Sequence, residues 1–86
     1  MIWRIELSKP AEKQLRKIKD RELRARLIAA MDALTHEPRP PDVKKLVGSA
    51  YFRIRIGDWR IVYDVLDEIL VIAVITIAKR GEVYRR

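Results

Sequence analysis

A stretch of alternating apolar and charged residues, interrupted once by a glycine, is the feature that most limits how this chain can fold. Residues 51–66 alternate on both sides of Gly57 and Asp58. A period of two is typical of a strand with one buried face, and glycine at the first central position suits a type II′ turn. The sequence therefore predicts a tight β-hairpin whose two-residue turn places Arg55 directly opposite Arg60.

This register divides the side chains of the hairpin between two faces. The face expected to pack on the helices carries Phe52, Ile54, Ile56, Trp59, Ile61 and Tyr63. The other face carries Arg53, Arg55 and Arg60. Neighbouring guanidinium groups repel one another, and each can bind a phosphate through paired hydrogen bonds. The pattern predicts an anion bound among the three arginines; the alternative is a solvated outer face on which the side chains spread apart.

The other segments of the chain predict two helices and two more strands. The first half gives a strand over Ile2–Leu7 and helices capped by Ser8 and Asp20 that end near Lys19 and Leu34. After a proline-rich breaker at 36–41, the second half gives strands over Tyr51–Ile56, Trp59–Leu66 and Ile69–Ala78, with a turn at Asp67-Glu68. The order β-α-α-β-β-β predicts an α+β fold, an antiparallel sheet with an N-terminal helical hairpin packed on one face. The 86 residues are expected to form a single domain, residues 1–86.

Composition limits the classes of function. Nineteen Lys and Arg against twelve Asp and Glu give a net charge of +7, which in one small domain indicates an anionic partner, either nucleic acid or an acidic protein. The chain has no cysteine, which excludes disulfides and thiolate metal sites and suits a reducing compartment. The longest apolar run is too short to span a membrane and no signal peptide is recognisable. We therefore expect a cytoplasmic protein without a membrane partner.

Cations and an aromatic ring follow the last predicted strand. Lys79 and Arg80 come directly after it, and Tyr84 lies four residues further on. A meander brings the end of this strand near Arg60, so Arg80 is expected close to the arginine cluster. Positive charge with an aromatic platform is typical of sites that hold single-stranded RNA, and the alternative for Tyr84 is simple packing of the tail. The residues expected to bind RNA are Lys44, Lys45, Lys79, Arg85 and Arg86.

Three segments resemble the RelE/ParE superfamily of toxins from type II toxin–antitoxin systems, and most closely its RelE branch. They are residues 45–48, 51–63 and 78–84, with the arginine-rich hairpin and the closing arginine and tyrosine as the specific parts. The resemblance implies a RelE-like fold and a ribosome-dependent mRNA endonuclease that cuts mRNA in the ribosomal A site and inhibits translation. It implies no metal or other cofactor, because the RNA 2′-hydroxyl attacks the adjacent phosphate. By matching position, it gives catalytic roles to Arg53, Arg55, Arg60, Arg80 and Tyr84.

The chemistry of these side chains indicates which role in RNA cleavage each of them would have. Arg60 and Arg80 are expected to stabilise the negative charge of the transition state, and Tyr84 to stack on or orient the base or to help proton transfer. Arg53 and Arg55 stand where some RelE-like members carry lysine. Since arginine keeps its proton, they are expected to act as phosphate clamps, or the ribosome is expected to arrange the 2′-hydroxyl. The only histidine, at position 36, lies far in sequence from the arginines and is not expected to be catalytic.

The resemblance also implies the partners. These are a RelB-like antitoxin, the ribosome and mRNA, with operator DNA bound only through the antitoxin. The basic face of the sheet and the basic residues of the first helix are candidates for the antitoxin contact, namely Lys9, Lys13, Arg16, Lys17 and Lys19. Two alternative functions remain open: a ParE-like inhibitor of DNA gyrase, and a catalytically inactive basic module that only binds its antitoxin.

Overall fold

Two helices cover one face of a five-stranded sheet in this computed structural model, which describes residues 2–41, 43–46 and 48–79. The elements are β1 (Arg4–Leu7), α1 (Lys9–Lys17), α2 (Arg21–Leu34), β2 (Lys44–Lys45), β3 (Phe52–Ile56), β4 (Trp59–Leu66) and β5 (Val71–Lys79). The strand order is β1-β5-β4-β3-β2. The predicted α+β class is confirmed, with the helical hairpin on one face of the sheet.

Both helices begin at the predicted caps. The Oγ atom of Ser8 accepts a hydrogen bond from the backbone N–H of Ala11 at 3.1 Å. The Asp20 carboxylate accepts from the N–H groups of Glu22 and Leu23 at 3.0 and 3.1 Å. These contacts satisfy N–H groups that have no partner within the helix. Local sequence therefore determines where each helix starts.

The sheet differs from the predicted antiparallel arrangement in one pairing and one strand. β1 pairs with β5 in parallel, from Arg4 with Val71 to Leu7 with Val74, whereas the remaining pairings are antiparallel. The two helices carry the chain away from β1, and the meander from β3 to β5 returns it in the same direction. The alternation of apolar residues indicates which side chains are buried, but it does not indicate whether a neighbouring strand runs parallel or antiparallel. The additional strand, β2, has two residues and is too short for alternation to reveal.

The turn before the last strand is also longer than predicted. β4 ends at Leu66 and β5 begins at Val71, so the turn includes Ile69 and Leu70 as well as the predicted Asp67-Glu68. Leu70 has a φ of 55°, in the left-handed region that β-strands exclude. The prediction of a strand that begins at Ile69 was wrong. Ile69 is apolar, as a buried strand residue would be, but it lies in the turn with 60% of its surface exposed.

The core lies between the helices and the sheet. Its fully or nearly buried members are Ala11, Ile18, Leu27, Met31, Leu34, Ile61, Tyr63, Val65, Ile72, Val74 and Ile77. Tyr63 also fixes the proline-rich connector, because its hydroxyl donates to the carbonyl oxygen of Pro38 at 2.7 Å. Its ring stacks on Phe52 with 5.8 Å between centroids. The connector is thus held against the sheet rather than free in solvent.

Helix α1 completes the edge of β5 where β1 ends. The pairing of β4 with β5 shifts so that Ile75 becomes a bulged residue without an opposite partner. The Ser8 hydroxyl donates to the Ile75 carbonyl at 2.7 Å, and the Gln14 Oε1 accepts from the N–H of Ile77 at 2.7 Å. These two side chains satisfy backbone groups that an additional strand would otherwise pair. They fix the end of β5 that lies beside the arginine-bearing strands.

The Gln14 contact gives a stability prediction. Gln14→Leu leaves the buried N–H of Ile77 without an acceptor, so we expect the free energy of unfolding to fall by about 1–3 kcal/mol. The matched control is Lys13→Leu, the same new residue at the preceding exposed position, which is expected to change it by less than about 0.5 kcal/mol. Urea denaturation of the two variants measures both values. Equal midpoints would show that Gln14 does not support β5.

Candidate nucleic-acid interface

The β3–β4 hairpin has the predicted register. Arg55 pairs with Arg60 and Arg53 with Val62. Gly57 has a φ of 60°, and among the described non-glycine residues only Leu70 has a positive φ, so Asp58 has a negative one. A positive φ at the first central position alone is the signature of a type II′ turn. The predicted turn type and pairing are both confirmed.

The division of the hairpin into two faces is confirmed as well. Ile61 and Tyr63 are completely buried in the core, and Phe52, Ile54, Ile56 and Trp59 pack against it. Because side chains alternate along a strand, the three arginines project from the opposite side of the sheet. The helices lie on the apolar side and leave this second side to the arginines.

A fourth cation joins the three arginines through the short strand β2. Lys44 pairs with Arg53, so the two side chains lie side by side, and the pair of Arg55 and Arg60 lies two residues further along the sheet. Paired Cβ atoms are about 5 Å apart, and positions two residues apart are separated by about 7 Å. We call these four residues the arginine face. They concentrate four positive charges within the reach of one or two phosphate groups.

Burial differs among the four cations. Arg60 lies on a central strand, opposite the small side chain of Ala78, and is only 8% exposed. Arg53 is half-buried, whereas Arg55 and Lys44 are exposed. A buried guanidinium keeps its charge and acts through a lower dielectric than an exposed one. Arg60 therefore supplies a fixed positive charge at the centre, flanked by more adaptable cations.

The same side of the sheet is acidic at its other end. Asp64 pairs with Ala73, which pairs in turn with Glu6 on β1. Glu6 forms an exposed ion pair with Arg4 at 3.1 Å. Among the described residues on this side of the sheet, the excess of positive over negative charge therefore lies at the end near the Gly57 turn. An extended polyanion would be attracted to this end and repelled from the other.

The structure separates two of the predicted RNA-binding residues, Lys45 and Lys79, from the arginine face. Lys45 pairs with Phe52 and Lys79 with Trp59, and both partners point towards the core, so these lysines lie on the helix side of the sheet. Both are exposed at the periphery, Lys45 on the edge strand and Lys79 at the end of β5. Arg80, Tyr84, Arg85 and Arg86 lie outside the described residues, so their predicted roles stay predictions.

A cation that the sequence did not lead us to expect lies near the Gly57 turn. Arg26 of α2 reaches the hairpin turn, where a Cβ atom on Gly57 would lie 3.9 Å from its guanidinium nitrogens. Together with Trp59 and Lys79, it lines a groove of about 460 Å³ between α2 and the turn. The contact depends on how α2 crosses the sheet, for which the sequence gives no local signal.

His36 lies away from the arginine face, as expected. Arg26 is beside the hairpin turn, and the end of α2 at Leu34 is about 12 Å further along the helix axis. His36 follows that end, is exposed, and belongs to the helix layer. Among residues 2–41, 43–46 and 48–79, no three His, Asp or Glu side chains cluster as metal ligands. No helix in these ranges is long and apolar enough to cross a membrane.

The sequence matches a known toxin family over most of its length. The matching family model describes the ParE toxin of the type II toxin–antitoxin system parDE, and the match covers residues 5–84. No curated protein sequence matches the chain significantly.

Solved structures of RelE toxins share the fold. The chain is similar to the toxin in the archaeal RelE–RelB complex from Pyrococcus horikoshii OT3, with a TM-score of 0.82, 30% identity, and coverage of 95% of this chain and 99% of that one. It is similar to a chain of the intact E. coli RelBE toxin–antitoxin complex, with a TM-score of 0.81, 26% identity and coverage of 93% and 99%. It is also similar to the isolated E. coli RelE toxin, with a TM-score of 0.79, 28% identity, and coverage of 95% of this chain and 90% of that one. This chain therefore belongs to the RelE/ParE superfamily, as a RelE-like toxin of a type II toxin–antitoxin system.

Proposed function

We propose that this toxin is a ribosome-dependent endoribonuclease that cleaves mRNA in the ribosomal A site. The observation that carries the proposal is the arginine face, on which Arg55 and Arg60 lie directly opposite each other on paired strands. This pairing holds two guanidinium groups side by side, where one phosphate can accept hydrogen bonds from both. The similarity to RelE toxins supports RNA as the source of that anion.

The chemistry follows from the charge of the site. The RNA 2′-hydroxyl oxygen forms a bond to the adjacent phosphorus while the bond from phosphorus to the 5′-oxygen breaks, leaving a cyclic phosphate and a 5′-hydroxyl. Negative charge grows on the phosphate oxygens in the transition state. Fixed donors aimed at that charge lower the barrier because they need no rearrangement during the reaction. Arg60, held by burial, and Arg55, opposite it, are placed for this role.

Proton transfer requires groups other than the arginines. A guanidinium remains protonated at any physiological pH and cannot accept the 2′-hydroxyl proton. We therefore assign Arg53 and Arg55 to clamping phosphate groups, with the ribosome arranging the 2′-hydroxyl. Arg80 is proposed to add charge stabilisation, and Tyr84 to orient the base or to assist proton transfer. Lys44, Arg85 and Arg86 are proposed to bind the flanking RNA, together with Lys45 and Lys79 from the periphery of the helix side of the sheet.

A RelB-like antitoxin is the proposed protein partner. The similar structures include RelE–RelB complexes from E. coli and Pyrococcus horikoshii. Among the described residues, the large hydrophobic side chains exposed to solvent are Ile2, Ile28, Tyr51 and Ile69. Exposed apolar side chains are the usual anchors of a protein interface, so these four are candidates for the antitoxin contact. Operator DNA would be bound through the antitoxin.

A second function is favoured by a different observation. The matching family model describes ParE toxins, and a ParE-like chain would inhibit DNA gyrase rather than cut mRNA. This alternative predicts a DNA-damage response with intact mRNA. The third possibility, an inactive antitoxin-binding module, predicts neither growth arrest nor mRNA cleavage.

The decisive test maps mRNA ends by primer extension after brief induction of the toxin. The reporter mRNA is compared with and without a start codon, so that only one version is translated. We expect cuts within codons of the translated version alone. Growth arrest with intact mRNA would contradict the nuclease and favour gyrase, whereas normal growth would favour the inactive module.

The arginine face predicts which variants lose cleavage. Arg60→Ala is expected to lower cleavage about 10²–10³-fold, as loss of one donor to a developing anion usually does. Because Arg60 is buried, Arg55→Ala provides a second test at an exposed position where folding is not at risk. Arg4→Ala, an exposed arginine at the opposite end of the sheet, is the control and should cleave normally. Normal cleavage by both the Arg55 and Arg60 variants would exclude the arginine face as the site of RNA cleavage.

The difference in burial predicts a difference in salt dependence. At about 0.15 M salt the screening length is roughly 8 Å in solvent, but buried charges are screened much less. The ratio of wild-type to Arg55→Gln cleavage rates should therefore fall as KCl rises, whereas the ratio for Arg60→Gln should stay constant. Single-turnover cleavage on ribosomes over a KCl series measures both ratios. A parallel decline of the two would contradict a fixed, buried charge at Arg60.

A further inference from the structure

A second concentration of positive charge in this toxin lies outside the arginine face. Residues 9–26, which form α1, the following turn and the start of α2, contain eight Lys and Arg against three Asp and Glu. Their net charge is +5, out of +7 for the whole chain. These charges lie outside the proposed site of cleavage.

Four of these cations form a stripe along α1. Lys9, Lys13 and Lys17 are spaced four residues apart and Arg16 lies beside them, so all four share one side of the helix. All four are exposed, while Ala11, Leu15 and Ile18 face the core from the opposite side. We call Lys9, Lys13, Arg16 and Lys17 the helical basic face.

The charges of the helical basic face are not neutralised within the fold. None of the four side chains forms an ion pair with another described residue; the ion pairs between described residues join Arg4 to Glu6 and Arg39 to Asp67. Glu12 is four residues from Arg16 and still does not pair with it. Like charges four residues apart destabilise a helix, so a structural role does not account for this stripe.

The composition of the stripe indicates the kind of partner. The exposed large hydrophobic residues named above lie on other elements, and α1 contributes none of them. Protein interfaces are depleted in lysine and depend on apolar and aromatic anchors at their centre. Interfaces with nucleic acid are polar and positively charged, and lysine neutralises phosphates as a compact point charge. The helical basic face therefore fits a phosphate backbone better than an acidic protein segment.

We propose that the helical basic face is a second RNA-binding surface, which holds the phosphate backbone of a folded RNA while the arginine face engages the strand to be cut. The proposal rests on the ribosome-dependent function, because the ribosome supplies folded RNA around the A site. The arginine face lies on the side of the sheet away from the core, whereas the helical basic face lies on the side of α1 away from the core, so the two surfaces are separate.

The experiment measures toxin binding to ribosomes over a series of KCl concentrations. The ribosomes carry an mRNA with 2′-O-methyl groups throughout the A-site codon, which prevents cleavage. Lys13→Gln/Lys17→Gln is compared with Arg4→Gln/Arg39→Gln, which removes the same charge from exposed positions elsewhere. Each phosphate contact contributes about 0.7–0.9 to the slope of log Kd against log[KCl]. We expect the lysine variant to lower the slope by about 1.4–1.8 and the arginine control to leave it unchanged.

The other outcomes distinguish a failure of this proposal from a failure of the proposed function. Equal slopes for the lysine variant and the wild type would show that α1 does not contact RNA. Weaker binding to the antitoxin with an unchanged ribosome slope would assign the stripe to the antitoxin. Wild-type toxin that binds ribosomes without cutting unmodified mRNA would contradict the nuclease but not this surface, whereas failure to bind ribosomes at all would contradict both.

Discussion

The burial of one face of the β3–β4 hairpin is the constraint on which the rest of this structure depends. Ile61 and Tyr63 are completely buried, and a shift of one residue would exchange the two faces and place arginines in the core. The positive φ of Gly57 fixes the turn that sets this register. Since the register cannot shift, the core keeps Arg55 and Arg60 opposite each other on the paired strands, where the proposed phosphate would contact both.

The same two-layer construction separates the positive charge into two surfaces. The sheet carries the arginine face on the side away from the helices, and α1 carries the helical basic face on the side away from the sheet. The apolar residues of the sheet and of α1 point towards the core between them. The charged residues of the sheet and of α1 therefore point away from that core, on different sides of a small domain. The proposed function would place one RNA segment on each of these two surfaces.

The amino-acid sequence predicts the fold correctly where the determinants are local. The caps at Ser8 and Asp20 and the Gly57 turn were predicted because each depends on residues a few positions apart. The parallel pairing of β1 with β5, the strand β2 and the four-residue turn at Leu70 were missed because they depend on distant segments or on backbone angles. The site likewise combines local and long-range determinants. The sequence correctly predicted that the three hairpin arginines lie together. Lys45 and Lys79 lie on the helix side of the sheet because their strand partners are Phe52 and Trp59.

The most direct test of the central claim is a structure of the toxin on a ribosome whose A-site codon carries 2′-O-methyl groups. We predict that the phosphate following a methylated ribose lies within hydrogen-bonding distance of the guanidinium groups of Arg55 and Arg60. A toxin bound with its arginine face turned away from the mRNA, or with the mRNA phosphates held by other side chains, would contradict it.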